Sequence, residues 1–454
     1  MKTGFLWGNS VSSMQTEGGW NEDGKGLSVY DIKEASEFAS DWHFANDNYH
    51  HYTEDFDLMK DMGMNCYRFQ ISWSRVCPQG DGDFNEAGIA YYDRFIDDLI
   101  ARGIEPMICL YHFDMPLALA KTYHGFLSKH TVEAFVRYGT EMVRRFSHKV
   151  KYWITFNEQN LYHNEGAYVI AGAEDVEHTR DHLYQIAHNV MISHARIANY
   201  IHAHTEAKIG GMLAYSEWYP ETCHPKDIMA ARRVDEMNNY ALLDCFVHGR
   251  YSAAFMQELK RGKIDAKMTD EELAELSHLY SDFIAFSYYA SSVISGQKIT
   301  VDTPVEMYPF IGKVKNPYLN ETEWHWQIDP DGFRDVLNKV YQRYRLPVFP
   351  IENGIGVQEE WDGVHEIEDD YRIAYHRDHI QAMKDAIEID GVEVIGYLGW
   401  GLIDILSSQG DMRKRYGMVY VNRTNHDLKD MRRVPKKSYH WFKRVIASNG
   451  ECLD

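Results

Sequence analysis

The stretch EAGIAYYDRFIDDLIARGIEPMICLYHF, from Glu86 to Phe113, contains the repeating unit from which the fold follows. Its first part, residues 86–103, is predicted to be a helix that ends at Gly103, because its apolar residues recur on one face. That face is formed by Ile89, Phe95, Ile96, Leu99 and Ile100. The second part, residues 105–113, is a short continuous apolar run of the kind that forms a buried strand.

The same alternation continues along the whole chain. Apolar runs that predict strands cover residues 4–12, 65–73, 105–113, 152–158, 208–216, 282–290, 347–353 and 394–404. Besides 86–103, helical patterns cover residues 128–147, 181–204, 227–248, 331–345, 369–390 and 436–447. Strands that are apolar on both faces and alternate with helices indicate a parallel sheet covered by helices. Eight such units predict an α/β fold, a (β/α)8 TIM barrel.

No linker, low-complexity tract or internal repeat divides the 454 residues, so residues 1–454 are predicted to form a single barrel domain. The apolar fraction of 44% is enough for a large core. The net charge of -21 argues against nucleic acid or an anionic membrane as the main partner, because both require a basic surface. Any anion that this protein binds must therefore meet a local cluster of cations.

The composition also predicts where the protein works. The six cysteines form no CxxC pair, and reduced thiols are expected in a chain of this size. The first residues, MKTGFLWGNS, lead directly into a predicted strand without the pattern of a secretory signal. No apolar run approaches the length of a membrane span. We therefore expect a cytoplasmic protein.

Polar and aromatic residues follow the predicted strands at the point where each strand ends, which is the face of a barrel that carries catalytic groups. These residues are His112, Asn157, Glu158, Tyr288, Tyr289, Glu352, Asn353 and the segment from Trp400 to Asp404. A carboxylate at the end of an apolar strand is costly unless it is paired or functional. Glu158 and Glu352 could each cap a helix or pair with Arg68, but two carboxyls at one barrel mouth favour acid–base chemistry. In retaining glycosidases such a pair lies about 5 Å apart.

Several stretches resemble family-one glycoside hydrolases, the β-glucosidase family, along essentially the whole chain. They are FLWGNSVSSMQTEG, YRFQISWSRV, LYHFDMPLAL, YWITFNE, SYY, PIENG and GWGLIDILSSQGDMRKRYGMVYV. The resemblance implies that Glu158 is the general acid/base, that Glu352 is the nucleophile, and that the β configuration is retained. It further implies that Tyr289 and Arg68 contact the nucleophile. The sugar-binding positions that it implies are Gln15, His112, Asn157 and Trp400, with Trp324 beside the leaving group.

Three positions depart from the usual family pattern. Phe113 replaces a Trp, Gln159 replaces a Pro, and Ser287 replaces an Asn. None of these changes removes a carboxylate, so they are expected to alter the sugar pocket and not the chemistry. For Trp326, which belongs to no motif, core packing is the expected role.

The segment DILSSQGDMRKRY, from Asp404 to Tyr416, points to a phosphate. By the same resemblance, ordinary β-glucosidases have the motif DNFEW here, and its Glu accepts hydrogen bonds from the sugar. This chain has Ser407 at the position of that Glu. A hydroxyl donates to a phosphate that a carboxylate would repel. Ser407, Lys414 and Tyr416 resemble the triplet that holds the 6-phosphate in the 6-phospho-β-glycosidase branch. Ser408 resembles the small residue of gluco-specific members.

The two arginines beside Lys414 are expected to have no part in this site. Short basic runs are most often solvated, so Arg413 and Arg415 are predicted to lie on the surface. His202 and His204 point to different faces of a predicted helix, and no metal site is expected from them. The proposed chemistry requires no metal, nucleotide or other cofactor.

The sequence thus predicts a retaining 6-phospho-β-glucosidase whose partner is a small phosphorylated β-glucoside. Its substrates would be phosphorylated cellobiose-type disaccharides or aryl β-glucosides supplied by a phosphotransferase uptake system. Three alternatives stay open: a 6-phospho-β-galactosidase or dual-specificity enzyme, an ordinary β-glucosidase or β-galactosidase, and an inactive sugar-binding protein. The sequence does not decide the leaving group or the oligomeric state, for which a homodimer is one option.

Overall fold

The computed structural model describes all residues from Met1 to Asp454, and its centre is a barrel of eight parallel strands. We label the barrel strands β1 to β8 in chain order. Their bounds are Leu6–Ser10, Cys66–Gln70, Glu105–Tyr111, Tyr152–Phe156, Lys208–Ala214, Phe283–Ser287, Val348–Glu352 and Gly396–Trp400. Each strand lies within one of the eight apolar runs, so the predicted barrel is confirmed.

The strands are hydrogen-bonded in the order β7-β6-β5-β4-β3-β2-β1-β8. The barrel closes between β7 and β8, where the Ile395 N–H donates to the Val348 carbonyl at 3.0 Å. At the other end of β8, the N–H of Trp400 donates to the carbonyl of Asn353, the residue after β7, at 2.9 Å. Because all strands run in the same direction, their carboxyl ends meet at one face of the barrel.

One helix follows each barrel strand on the outside, and we label these helices α1 to α8. Their bounds are Asn48–Met62, Glu86–Ala101, Lys129–Phe146, Arg180–His204, Ala241–His248, Pro330–Tyr344, Asp370–Glu388 and Lys437–Ala447. Helix α1 has no predicted counterpart, because Phe56, Met59 and Met62 are the only apolar residues that it buries. The predicted helix 227–248 is two helices, Pro225–Asp235 and α5, joined by a π-helical turn.

Shorter elements decorate the loops. The short helices are Ser13–Thr16, Trp73–Val76, Leu117–Tyr123, Gly125–Leu127, Gln159–His163, Ala167–Ile170, Pro225–Asp235, Ala253–Gly262, Asp270–Leu276, Gly296–Lys298, Val305–Met307 and Tyr308–Gly312. The short strands are Glu217–Pro220, Ser291–Ile294, Lys313–Val314, Val357–Gln358, Lys414–Arg415, Val419–Val421 and Arg433–Pro435. None of the helices combines the length and apolar character that crossing a bilayer requires.

The inside of the barrel is filled by side chains from the strands and contains no channel. Ten buried residues form this cluster: Cys66, Met107, Cys109, Ile154, Met212, Phe283, Ala285, Phe349, Ile351 and Leu398. Arg68, two residues after Cys66 on β2, is fully buried near the carboxyl end of the strand. A charged group therefore borders the apolar barrel interior, and its partners determine the site described below.

The loop after β8 contains two short strands, and each of them pairs with another short strand of the chain. Lys414–Arg415 pairs antiparallel with Val357–Gln358, which follows β7, so that Gln358 lies opposite Lys414. Val419–Val421 pairs antiparallel with Arg433–Pro435, immediately before α8. The predicted phosphate segment is thus attached to the segment that follows Glu352 in the chain.

We predict that Gly211→Ala destabilises the barrel. A methyl group at Gly211 on β5 would lie 2.1 Å from the Phe246 ring, and Phe246 is part of α5. Overpacking of this kind costs about 1–3 kcal/mol in the free energy of unfolding. The thermal unfolding midpoint, followed by circular dichroism, should fall accordingly.

Gly399→Ala is the matched control, because Gly399 also lies in a barrel strand. A methyl group there would approach no atom closer than 3.9 Å. An unfolding midpoint that falls equally in both variants would show that the contact with Phe246 is not the cause.

Candidate active site

The Arg68 guanidinium connects the ends of four strands at the barrel mouth. Its Nη1 donates to Glu352 Oε1 at 2.6 Å and to Ser10 Oγ at 3.2 Å, and its Nη2 donates to Asn157 Oδ1 at 2.7 Å. These residues come from β1 and β7 and from the residue after β4. The sequence left open whether a carboxylate pairs with Arg68, and the structure shows that Glu352 does.

Glu352 is the last residue of β7 and is held by two donors. In addition to Arg68, the Tyr289 hydroxyl donates to Glu352 Oε2 at 2.9 Å. The register of β7 against β6 shifts between Pro350 and Glu352, which places Glu352 opposite Ser287. Two donors on its two oxygens stabilise the ionised form of this carboxyl group.

Glu158 is held differently. Its backbone is left-handed, with φ 41°, which is uncommon for a residue other than glycine. Its N–H lies 2.9 Å from the Met212 sulfur, and its Oε1 accepts one hydrogen bond, from the Ser287 hydroxyl at 2.5 Å. Left-handed backbone at such a position is a strain that often accompanies function. The only hydrogen bond to the Glu158 carboxyl group thus comes from a neutral hydroxyl.

Burial raises the pKa of both carboxyl groups above the ordinary range. At Glu352 the Arg68 guanidinium and the Tyr289 hydroxyl lower the pKa, whereas the neighbouring Glu158 carboxylate raises it. At Glu158 the Ser287 hydroxyl and the more distant Arg68 lower the pKa. Because the Glu158 carboxylate raises the pKa of Glu352, the two carboxyls interact, and interacting carboxyls titrate as a pair. The direct ion pair with Arg68 favours the charge on Glu352 and the proton on Glu158.

The predicted sugar-binding residues line the same mouth. The Gln15 amide donates to the Leu406 carbonyl at 2.7 Å and accepts from the Ser12 hydroxyl at 2.7 Å, so it is fixed beside the loop after β8. The His112 ring stacks on Trp400 with 5.6 Å between ring centroids. Asn157 is fixed by its hydrogen bond from Arg68.

Three polar atoms of the site are buried without a hydrogen-bond partner in the chain: Arg68 Nε, His112 Nδ1 and Trp324 Nε1. Buried polar atoms are nearly always bonded, so unpaired ones clustered at one site are candidates for contact with water or a ligand. Trp324 is half-buried and so is not a core residue.

The predicted phosphate residues lie in and beside the strand Lys414–Arg415. Ser407 Oγ accepts hydrogen bonds from the Asp411 N–H at 3.1 Å and the Gln409 N–H at 3.4 Å, which leaves its own proton available. The buried Tyr416 ring lies 6.5 Å from the Tyr289 ring, measured between centroids. Burial raises the pKa of Tyr416, so its hydroxyl stays protonated and can donate. Ser408 is exposed and makes no hydrogen bond through its side chain.

The Lys414 ammonium group lies among aromatic rings. Its nitrogen is 4.0 Å from the centroid of Trp326, 4.8 Å from that of Trp324 and 5.4 Å from that of Tyr416. It has no hydrogen-bond or ion-pair partner in the chain, although the residue is only 9% exposed. Burial lowers the pKa of Lys414 to about 8, and the nearby Asp411 raises it slightly. Lys414 is therefore protonated near neutral pH and lacks a counter-ion.

All other buried Lys and Arg residues donate hydrogen bonds to oxygens of the chain. They are Arg68, Arg75, Arg372, Lys384, Arg415, Arg423, Arg433 and Lys436. A buried cation without a partner is unfavourable, and an anionic ligand would remove that cost. Lys414 is the best candidate for an anion contact in the mouth of the barrel.

Two expectations from the sequence are wrong. Arg415 is not on the surface: it is 3% exposed, and its Nη1 donates to Asp404 Oδ2 at 3.2 Å. Trp326 is not a core residue: it is 37% exposed, and its ring covers Lys414. Short-range patterns could not reveal either placement, because Asp404 lies 11 residues before Arg415 and Lys414 belongs to a different loop from Trp326. Arg413 is exposed as predicted and pairs with Asp411 at 2.8 Å.

The sequence also did not point to Gly356. A methyl group at this position would lie 2.7 Å from Lys414 Cε and 3.0 Å from Tyr416 Cζ. The backbone therefore packs directly against both proposed phosphate ligands. The only signal was the second glycine of the segment ENGIGV, which follows β7.

A cavity of about 530 Å³ opens beside the two carboxyls. Ser287 and Tyr289, which donate to Glu158 and Glu352, form part of its wall. Trp326 forms another part, together with Lys313, Lys315 and other mostly polar residues of the loops after β5 and β6. A group attached to a sugar at the carboxyl pair would have room here.

Comparison with known proteins identifies relatives over the whole chain. The sequence profile of glycosyl hydrolase family 1 matches residues 1–451. The chain is 38% identical to aryl-phospho-beta-D-glucosidase BglA of Bacillus subtilis, over 100% of this chain and 99% of that protein. It is 37% identical to a 6-phospho-beta-glucosidase of Clostridium longisporum, over 99% and 98% of the two chains. The structure of a family 1 β-glucosidase from Thermotoga maritima superimposes with a TM-score of 0.87 at 28% identity, covering 99% and 98%.

Proposed function

The chain belongs to glycosyl hydrolase family 1, and on this premise we propose that it hydrolyses 6-phospho-β-D-glucosides to glucose 6-phosphate and an alcohol or phenol. The observation that carries the proposal is the buried Lys414 ammonium, which has no counter-ion and lies at the mouth that contains both carboxyls. The names of the relatives from Bacillus subtilis and Clostridium longisporum support the same substrate class.

The phosphate would be held by Lys414 together with Ser407 and Tyr416. These residues offer an ammonium, a hydroxyl and a phenol, and all three can donate to phosphate oxygens. Asp411, the carboxylate that raises the pKa of Lys414, is paired with Arg413 and also accepts a hydrogen bond from Asn425 at 3.0 Å. The loop therefore presents a net positive charge to the ligand.

The cleavage would follow a double-displacement path. Glu352, held ionised by Arg68 and Tyr289, attacks the anomeric carbon, while Glu158 gives its proton to the departing glycosidic oxygen. Glu158 then takes a proton from water, which attacks the same carbon and releases Glu352. Two inversions leave the β configuration unchanged.

The cavity beside the carboxyls would hold the leaving group. Ser287 both donates to Glu158 and forms part of the cavity wall, so the proposed acid faces this space. The volume of about 530 Å³ leaves room for a second sugar or an aryl group. We place the reaction in the cytoplasm, where a phosphotransferase uptake system would deliver phosphorylated sugars.

The proposal is tested by comparing p-nitrophenyl 6-phospho-β-glucoside with p-nitrophenyl β-glucoside. We expect kcat/KM to be higher for the phosphorylated substrate by at least about tenfold, because one charge-assisted hydrogen bond contributes about 1.5–3 kcal/mol. Equal rates would contradict the proposed phosphate site and favour an ordinary β-glucosidase. Failure to cleave either substrate would favour a sugar-binding protein.

We predict that Lys414→Ala removes most of this preference. Loss of about 1.5–3 kcal/mol should lower kcat/KM for the phosphorylated substrate about 10- to 150-fold, and lower that for the unphosphorylated one much less. Lys437→Ala is the control, because Lys437 is a partly exposed lysine of α8 that pairs with Glu368 and Asp370. A ratio that is unchanged in Lys414→Ala would mean that the phosphate binds elsewhere.

We also predict that Tyr289→Phe shifts the acidic limb of the pH profile. The Tyr289 hydroxyl lowers the pKa of Glu352, so its removal raises that pKa, and Glu352 then ionises only at higher pH. The acidic limb of the kcat/KM profile should move to higher pH by about one unit, because one pKa unit corresponds to the free energy of about one hydrogen bond to a charged group.

The neighbouring Tyr288→Phe provides the control for this shift. Tyr288 is buried and donates to the Asp329 carbonyl at 2.9 Å, away from both carboxyls. Its removal should leave the acidic limb in place. An unshifted limb in Tyr289→Phe would contradict the assignment of Glu352 as the group that must be ionised.

A further inference from the structure

Six buried charges form a continuous chain beneath the proposed phosphate site. They alternate in sign, and we call them the buried charge chain: Asp369, Arg372, Glu359, Lys436, Asp404 and Arg415. None of the six side chains is more than 5% exposed. Asp369 precedes α7 and Arg372 lies in it, Glu359 follows the strand Val357–Gln358, Lys436 precedes α8, and Asp404 and Arg415 belong to the loop after β8.

Each charge meets the next at hydrogen-bonding distance. Arg372 donates to Asp369 and to Glu359, both at 2.9 Å, and Glu359 also pairs with Lys436. Lys436 and Arg415 both donate to Asp404 at 3.2 Å. Three cations thus balance three carboxylates, and the chain is neutral as a whole. Every carboxylate of the buried charge chain is therefore paired with a cation of the same cluster, and none of them pairs with Lys414.

Arg372 also binds the backbone on both sides of the proposed phosphate ligands. Its Nη1 donates to the Tyr416 carbonyl at 2.9 Å and to the Ile355 carbonyl at 2.6 Å. Ile355 precedes Gly356, whose Cα packs against the Lys414 and Tyr416 side chains. One guanidinium therefore sets the distance between the loop after β7 and the segment that carries Lys414.

Asp404 binds the same segment from the other end. Its Oδ1 accepts from the Gly417 N–H at 2.9 Å, and its Oδ2 accepts from Arg415. The backbone at Lys414 is thus held in two ways. Lys414 itself pairs with Gln358 in the short sheet, and the next residue, Arg415, is bound to Asp404. Its side chain can face the barrel mouth only while this backbone is held in place.

Fold stability alone does not explain a cluster of this kind. Buried ion pairs often contribute little to stability, because removing two charges from water costs about as much as their attraction returns. Preorganisation of a binding site is a separate gain. A binding side chain that is held within a fraction of an ångström of its working position binds the substrate far better than a mobile side chain does.

We propose that the buried charge chain, through Arg372 and Asp404, positions Lys414 and Tyr416 for the phosphate of the substrate. This inference rests on the proposed function. Arg372 and Asp404 are positioning residues that do not touch the substrate. They determine how strongly the phosphorylated substrate is preferred over the unphosphorylated one.

Arg372→Lys tests this inference, because it keeps the charge but cannot reach all the acceptors of the guanidinium. We measure kcat and KM for the phosphorylated and unphosphorylated p-nitrophenyl glucosides, and confirm folding by circular dichroism. The ratio of the two kcat/KM values should fall about tenfold or more, mainly because KM for the phosphorylated substrate rises. Glu359→Gln, which removes one charge but keeps the size, should lower the same ratio and decides the question if Arg372→Lys does not fold.

Arg433→Lys is the matched control. Arg433 is similarly buried and has partners of the same kinds: the Asp55 carboxylate at 2.9 Å and the Met431 and Asn46 carbonyls, both at 2.8 Å. It differs from Arg372 in that it pairs with one carboxylate and not with two. Its substitution should reduce stability without changing the substrate ratio.

The outcomes separate this inference from the proposed function. A wild-type enzyme without preference for the phosphorylated substrate would overturn the proposed function and this inference with it. A wild-type preference that persists unchanged in folded Arg372→Lys or Glu359→Gln would overturn this inference alone. An equal loss of ratio in Arg433→Lys would also overturn it, because the effect would then be one of general stability.

Discussion

The ion pair between Arg68 and Glu352 is the constraint on which the site depends. A guanidinium that borders an apolar barrel interior is costly unless its donors are paired, and Glu352, Asn157 and Ser10 accept hydrogen bonds from both of its terminal nitrogens. The same contacts hold the ends of separate strands at fixed positions. The group that stabilises the barrel mouth therefore also supports the charge of the proposed nucleophile, while Glu158, which has one neutral donor, is left to carry the proton.

Charge balance distinguishes binding groups from structural ones in this protein. Arg413, Lys414 and Arg415 are consecutive, yet each has a different environment. Arg413 pairs with Asp411 near the surface, and Arg415 belongs to the neutral buried charge chain. Lys414 alone has no hydrogen-bond or ion-pair partner in the chain, and its ammonium group lies among aromatic rings. A cation held over rings is partly stabilised and still free to meet an anion, which suits a site that must bind and release a phosphorylated ligand.

Much of the fold and of the candidate site could be predicted from local patterns. The eight strands were found because buried parallel strands are continuous apolar runs, and the carboxyls because a charge at such a strand end is conspicuous. Helix α1 and the break before α5 were missed, because a weak apolar stripe and a π-helical turn leave little periodic signal. Arg415 and Trp326 were misplaced, since a basic run and an isolated aromatic residue have no local signature of burial.

The sequence by itself determined the barrel, the two carboxyls and the presence of Ser407, Lys414 and Tyr416 in one short segment. These follow from periodicity and residue type, which are properties of neighbouring positions. Only the tertiary structure decided which cations are neutralised, because several counter-ions belong to other elements of the chain: Glu359 lies 13 residues before Arg372, and Lys436 lies 32 residues after Asp404. Electrostatic energy depends on distance in space and on burial, and neither can be read from the order of residues.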